Sequence, residues 1–284
     1  MRALLLVLVL LLAGCAASAP TPDDGVIRIV ASTNVYGDIA AAIGGDRVEV
    51  TSIVDDPAQD PHSVEGSARV QLALLRADLV IENGGGYDEW LDVLLRGLDD
   101  PPTTLSAWAV SNYAADAEFN EHFWYDFDTV QALATELRTV LTGLGVTVPD
   151  SDFSDRLVEL QKRKAEIADY AGGTGVAITE ALPLYLLAGC GLVNVTPPEF
   201  SEAIEEGTDV PPAALRDTLA LFDSGEAALL VYNEQTTSPE TEQVKAAALA
   251  AGIPVVPVTE TLPRGLHYLD WMSQNLDAIE EALA

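Results

Sequence analysis

The chain has 284 residues, 14 of them basic and 45 acidic, for a formal charge of −31. Nucleic-acid binding is excluded by that balance, because phosphate contacts need a basic face. A disulfide framework is excluded too: the only cysteines are Cys15 and Cys190, and Cys15 falls in a processing signal, so the fold must be held by packing.

Met1-Arg2 is a minimal positive region, and Ala3 to Leu12 is an unbroken run of ten apolar residues. Leu12-Ala13-Gly14-Cys15 then matches the bacterial lipobox. Ten apolar residues are about half of what a bilayer-spanning helix needs, so residues 1–14 are expected to be a cleaved signal peptide, with Cys15 carrying the lipid. Residues 15–25 are rich in Ala, Ser, Pro and Asp without an apolar period, which predicts a flexible lipid-anchored tether. The expected location is the outer face of the cell membrane, with membrane contact through the lipid alone.

About 260 residues remain for the folded part, enough for a real core. Val26 to Val30 reads as a strand, Val35 to Ile43 as a helix and Val48 to Ile53 as the next strand. A loop from Asp55 to Gly66 leads into a helix through Ala73. Ala77 to Ile81 is a strand ending in the Gly84-Gly85-Gly86 turn, Tyr87 to Leu98 is helical, and a further strand surrounds Thr104 to Trp108. Phe153 to Tyr170, with Leu157, Leu160 and Ile167 on one face, suits one continuous helix roughly 27 Å long. Beyond it, strands are predicted at Gly175 to Thr179, Ala227 to Tyr232 and Ile253 to Val258. Helices are predicted at Pro212 to Phe222, Glu240 to Ala250 and Tyr268 to Ala284. Such βα alternation predicts an α/β fold of two βα lobes with parallel sheets, joined by a single long helix. The expected divisions are an N-terminal lobe over 26–150, an interlobe helix over 151–172 and a C-terminal lobe over 173–284. Cys190, inside Leu186-Leu187-Ala188-Gly189-Cys190-Gly191-Leu192, reads as a small buried hydrophobe.

Ligands of open parallel α/β sheets bind beyond the carboxyl ends of the strands. Four segments put coordinating side chains there: Asp60-Pro61-His62-Ser63-Val64-Glu65, Asn120-Glu121-His122, Glu180 after Thr179, and Thr259-Glu260-Thr261. Two imidazoles and two carboxylates suit a first-row divalent ion, nitrogen coming from neutral imidazole and hard oxygen from carboxylate. Glu234, also past a strand end, is a reserve ligand. His267, at the start of the last helix, reads as structural. A surface hydrolase is the first rival reading, weakened by the lack of His-Glu-x-x-His and Gly-x-Ser-x-Gly. A receptor for an organic solute, lined by aromatics such as Phe119 and Phe123, is the second.

Asp60-Pro61-His62 with Glu65, Ala77-Asp78-Leu79-Val80 before the glycine turn and Trp90-Leu91, His122-Phe123-Trp124-Tyr125-Asp126, and Trp271-Met272-Ser273-Gln274-Asn275-Leu276 follow one another over most of the chain. In that order they resemble the solute-binding lipoproteins of zinc and manganese ABC importers. The resemblance implies two lobes bridged by a rigid helix and a single interlobe site with ligands His62, His122, Glu180 and Glu260. It implies one divalent metal ion, Mn2+ or Zn2+, as transported ligand, an ABC permease as partner, a monomeric receptor and no enzyme activity. Glutamate at position 180 resembles manganese-type members, whereas zinc-type members usually carry histidine there. At position 260 the family generally has aspartate.

Overall fold

A computed structural model describes residues 25–56, 61, 64, 66–113 and 119–284. Cys15 and the signal segment, His62 and Glu65 lie outside the described residues.

The N-terminal lobe runs β1 (Ile27–Thr33), α1 (Asn34–Gly44), β2 (Val48–Val54), α2 (Ala68–Leu74), β3 (Leu79–Glu82), α3 (Glu89–Arg96), β4 (Thr103–Ser106), α4 (Ala107–Val110) and α5 (Phe127–Gly143). Its sheet has the order β2-β1-β3-β4, and every pairing is parallel, with Ile29 opposite Val50 and Leu79. Then α6 (Phe153–Ala171) leads to the C-terminal lobe: β5 (Gly175–Ile178), α7 (Leu184–Gly189), β6 (Val193–Asn194), α8 (Pro198–Glu205), α9 (Pro212–Ser224), β7 (Leu230–Asn233), α10 (Pro239–Ala250), β8 (Val255–Val258) and α11 (Tyr268–Leu283). This second sheet is also parallel and repeats the plan of the first, in the order β6-β5-β7-β8.

Several elements differ from expectation. The strand predicted around Thr104 to Trp108 ends at Ser106, whose hydroxyl accepts the Ala109 N–H and starts α4 instead. Helix α5 was not among the predicted elements. It forms because Phe127, Val130, Ala134, Leu137 and Leu141 fall on one buried stripe, and because the Asp126 carboxylate accepts the Thr129 N–H as its cap. Helix α8 and the two-residue strand β6 are likewise additions.

One apolar core runs through both lobes. Ile29, Trp124, Leu157, Ile178, Val258 and Leu276 belong to the same buried cluster. The interlobe seam is also crossed by hydrogen bonds: Asn34 donates to the Leu262 carbonyl and accepts the Leu262 N–H, each at 2.9 Å and part-buried. The Tyr268 hydroxyl donates to the Trp124 carbonyl at 2.6 Å. Helix α11 lies beside α6. Arg163 of α6 pairs with Asp277 and Glu280 of α11, and Arg156 with Asp270. Cys190 is buried and free.

Candidate metal centre

Both sheets change winding direction between their first and third strands, and such switch points open a crevice at the strand carboxyl ends. In the C-terminal lobe that crevice lies between β5 and β7. Glu180 follows the end of β5, Asn233 closes β7, and Glu260 follows β8; all three are buried. The Asn233 amide lies between the two carboxylates, donating to Glu180 Oε2 and, at 3.1 Å, to Glu260 Oε1. Gln235 fixes the second of them from behind, its Oε1 accepting the N–H groups of Glu260 and Thr261 at 2.6 and 3.1 Å.

The N-terminal lobe supplies the opposite wall. The glycine turn after β3 has positive φ at Gly84, Gly85 and Gly86. A Cβ on Gly84 would sit 2.3 Å from the Ser106 hydroxyl, so both the backbone conformation and the space require glycine there. The buried Asp88 carboxylate closes the turn by accepting the Asn83 and Gly84 N–H groups at 2.7 and 2.8 Å. Burial raises the Asp88 pKa, and those two N–H groups oppose the rise. The turn delivers Tyr87, whose hydroxyl reaches across the lobes to Glu260 Oε2 at 3.4 Å.

His122 is 1% exposed and precedes a single helical turn, Phe123–Tyr125. The Trp124 and Tyr87 rings flank it edge-on, with centroids at 5.1 and 6.0 Å. Its orientation follows from Asn120. The Asn120 amide donates to the Ala181 carbonyl at 2.7 Å, which fixes which end of the amide is oxygen. That oxygen accepts the His122 backbone N–H at 3.1 Å and lies 2.6 Å from Nδ1. Nδ1 is therefore the protonated nitrogen, and Nε2 faces the site.

Opposite Nε2, at 3.2 Å, lies Glu205 Oε1. Glu205 is the last residue of α8, and its other oxygen accepts the Ala181 N–H at 3.1 Å. Burial pushes its carboxyl up to about 8, with Glu180, Glu260 and Glu121 adding repulsion. Ligand atoms of Glu121, His122 and Glu205 all lie within 4.8 Å of one another, a grouping able to hold a metal ion.

Of the residues expected from sequence, His122, Glu180 and Glu260 are thus brought to one crevice. His62 lies outside the described residues, although its neighbour Pro61 is held by the Trp90 indole N–H at 3.0 Å. Glu234, the reserve ligand, is exposed, because β7 ends by turning Asn233 inward and Glu234 outward. His267 is exposed and paired with Asp38 at 2.7 Å, away from the crevice. Glu205 was not foreseen, and neither were Asn120, Asn233 and Tyr87 as its surroundings. Glu121 stands in a segment that was singled out, so adjacency to His122 was a usable signal for it.

Residues 29–282 match the family model described as ZnuA, zinc-uptake complex component A, periplasmic. The manganese-binding lipoprotein MntA of Halalkalibacterium halodurans is 29% identical over 138 residues, 47% of this chain and 46% of that protein. The chain therefore matches about half the length of this curated relative. Among solved structures, the periplasmic zinc-binding protein TroA from Treponema pallidum is similar with a TM-score of 0.72 at 17% identity, covering 92% of this chain and 100% of that one. FpvC from Pseudomonas aeruginosa, solved in complex with Mn2+, is similar with a TM-score of 0.70 at 18% identity, covering 90% and 98%. These structures share the two-lobed fold. Because the family model spans nearly all of the described fold, the chain belongs to the ZnuA family of periplasmic metal-uptake components.

Proposed function

We propose that the protein is an extracytoplasmic receptor that binds one Mn2+ or Zn2+ between its lobes and delivers it to an ABC permease. His62, His122, Glu180 and Glu260 are the ligands proposed from the sequence. The observation that carries the reading is the meeting of buried His122, through Nε2, with Glu205 of the other lobe at 3.2 Å, beside the buried Glu180 and Glu260. Like-charged carboxylates gathered out of water are costly unless a cation neutralises them. A divalent ion does so, and imidazole with carboxylate is an accepted donor set for both metals. The abundance of oxygen donors favours Mn2+ over a closed zinc site, while intrinsic affinity favours Zn2+.

Delivery is proposed to work from a tether. Lipid on Cys15 would hold the monomeric receptor near the permease and raise its local concentration there. Isothermal titration of metal-stripped protein tests the binding step: one ion binds, and His122→Ala weakens binding by at least about 100-fold. Absence of any Mn2+ or Zn2+ binding would end this reading. A Cys15→Ser protein that is still exported should bind metal normally in solution but support less uptake by cells.

A further inference from the structure

We infer that Glu205, at the carboxyl end of α8, is a direct ligand of the transported ion, joining His122 from the last turn of a helix rather than from a strand end. This rests on the receptor reading above. Three observations carry it. First, the Asn120 amide makes Nδ1 of His122 the N–H, so Nε2 presents its lone pair to Glu205 Oε1 at 3.2 Å. A lone pair and a carboxylate oxygen approach that closely only with a positive centre between them, either a proton or a metal ion.

Second, the spacing suits the metal. Ligand bonds of about 2.1 Å put neighbouring donor atoms about 3.0–3.4 Å apart in octahedral or tetrahedral coordination. The His122–Glu205 separation falls inside that range. The Glu121 carboxylate lies within the same 4.8 Å grouping, as a further oxygen on this side of the crevice.

Third, Glu205 is supported in the way metal ligands are. The same residue, Ala181, receives the Asn120 amide on its carbonyl and gives its N–H to Glu205 Oε2. One short loop thus aligns both donors, and outer hydrogen bonds of this kind orient ligands for a metal. The carboxylate also sits at the carboxyl end of α8, where the helix dipole disfavours negative charge. A cation in front of it removes that penalty.

The test uses the whole chain, stripped of metal. Glu205→Gln keeps the shape and removes the charge, and Glu206→Gln alters the exposed neighbour as a control. In titrations with Mn2+ and Zn2+, Glu205→Gln should weaken both by about 10–100-fold or more, with Glu206→Gln unchanged. Anomalous diffraction from metal-loaded wild-type crystals supplies a readout independent of any variant's folding. It should place a Glu205 oxygen about 2.0–2.2 Å from the ion. A bound ion with Glu205 beyond bonding distance overturns the inference, as does unchanged affinity in Glu205→Gln. In either case, retained wild-type binding that His122→Ala abolishes leaves the receptor reading standing, so the two failures are distinct.

Discussion

Asn120 Oδ1 accepts from both the backbone and the imidazole of His122, at 3.1 and 2.6 Å, and so decides which ring nitrogen faces the crevice. Asn120→Ala removes that choice, together with the bond to the Ala181 carbonyl. Metal affinity should fall about 10–100-fold, as for other outer partners of a ligating histidine. Asn120→Asp keeps the acceptor and should recover most of the loss. Titration calorimetry on the two variants checks both outcomes.

Asn233 separates Glu180 from Glu260 by donating to each. Asn233→Asp replaces a donor by a third carboxylate. The metal-free protein should lose about 1–3 kcal/mol, a fall in melting temperature of roughly 3–10 °C. Saturating Mn2+ should recover more stability in the variant than in the wild type, because the ion neutralises the added charge. Thermal melts with and without metal measure this, and equal metal-induced shifts would refute it.

Glu82, at the end of β3, is pushed up to about 7 by burial, then by Asp88 and Asp92. Its folded pKa lies above the ordinary value of 4.5, so the folded state holds the proton more tightly than the unfolded chain. Stability contributed by that proton is full below the ordinary value and is lost as pH rises to about 7. Glu82→Gln should therefore match wild type near pH 4 and exceed it at pH 8. The side chain is part-exposed, which limits the gain to about 1–2 kcal/mol. Denaturant melts at the two pH values give the difference directly.

Arg163 joins α6 to α11 through Asp277, Glu280 and the Ser273 hydroxyl. Arg163→Met keeps the aliphatic packing and breaks the network. An expected cost of about 1–2 kcal/mol follows from charge-assisted bonds at a partly buried guanidinium. Metal affinity should not change, since the crevice is elsewhere. A calorimetric titration beside a urea melt separates the two effects.

Much of this was legible in the residues. β-branched runs separated by helical stretches gave the parallel sheets, and a strand end before Glu180 or Glu260 marks a crevice in any such fold. The apolar spacing of Phe127, Val130, Ala134, Leu137 and Leu141 was equally readable, with Asp126 as cap, so α5 was open to prediction. Glu205 was not. Glu205-Glu206 in sequence is indistinguishable from a solvated acidic pair, and only the return of α8 over the Ala181 loop part-buries one of the two. Asn233 against Glu234 is a similar case: neighbouring residues at a strand end face opposite ways, and the choice depends on where β7 stops.

The shared core and the Asn34–Leu262 and Tyr268–Trp124 bonds across the seam have a thermodynamic consequence. Lobes bonded so closely have little apolar surface left to bury by a hinge motion. Metal capture should then be accompanied by a heat-capacity change close to zero, unlike a hinged receptor that shuts around its solute. Titrations at several temperatures should give enthalpies lying on a nearly flat line. The radius of gyration in solution scattering should be the same for loaded and stripped protein.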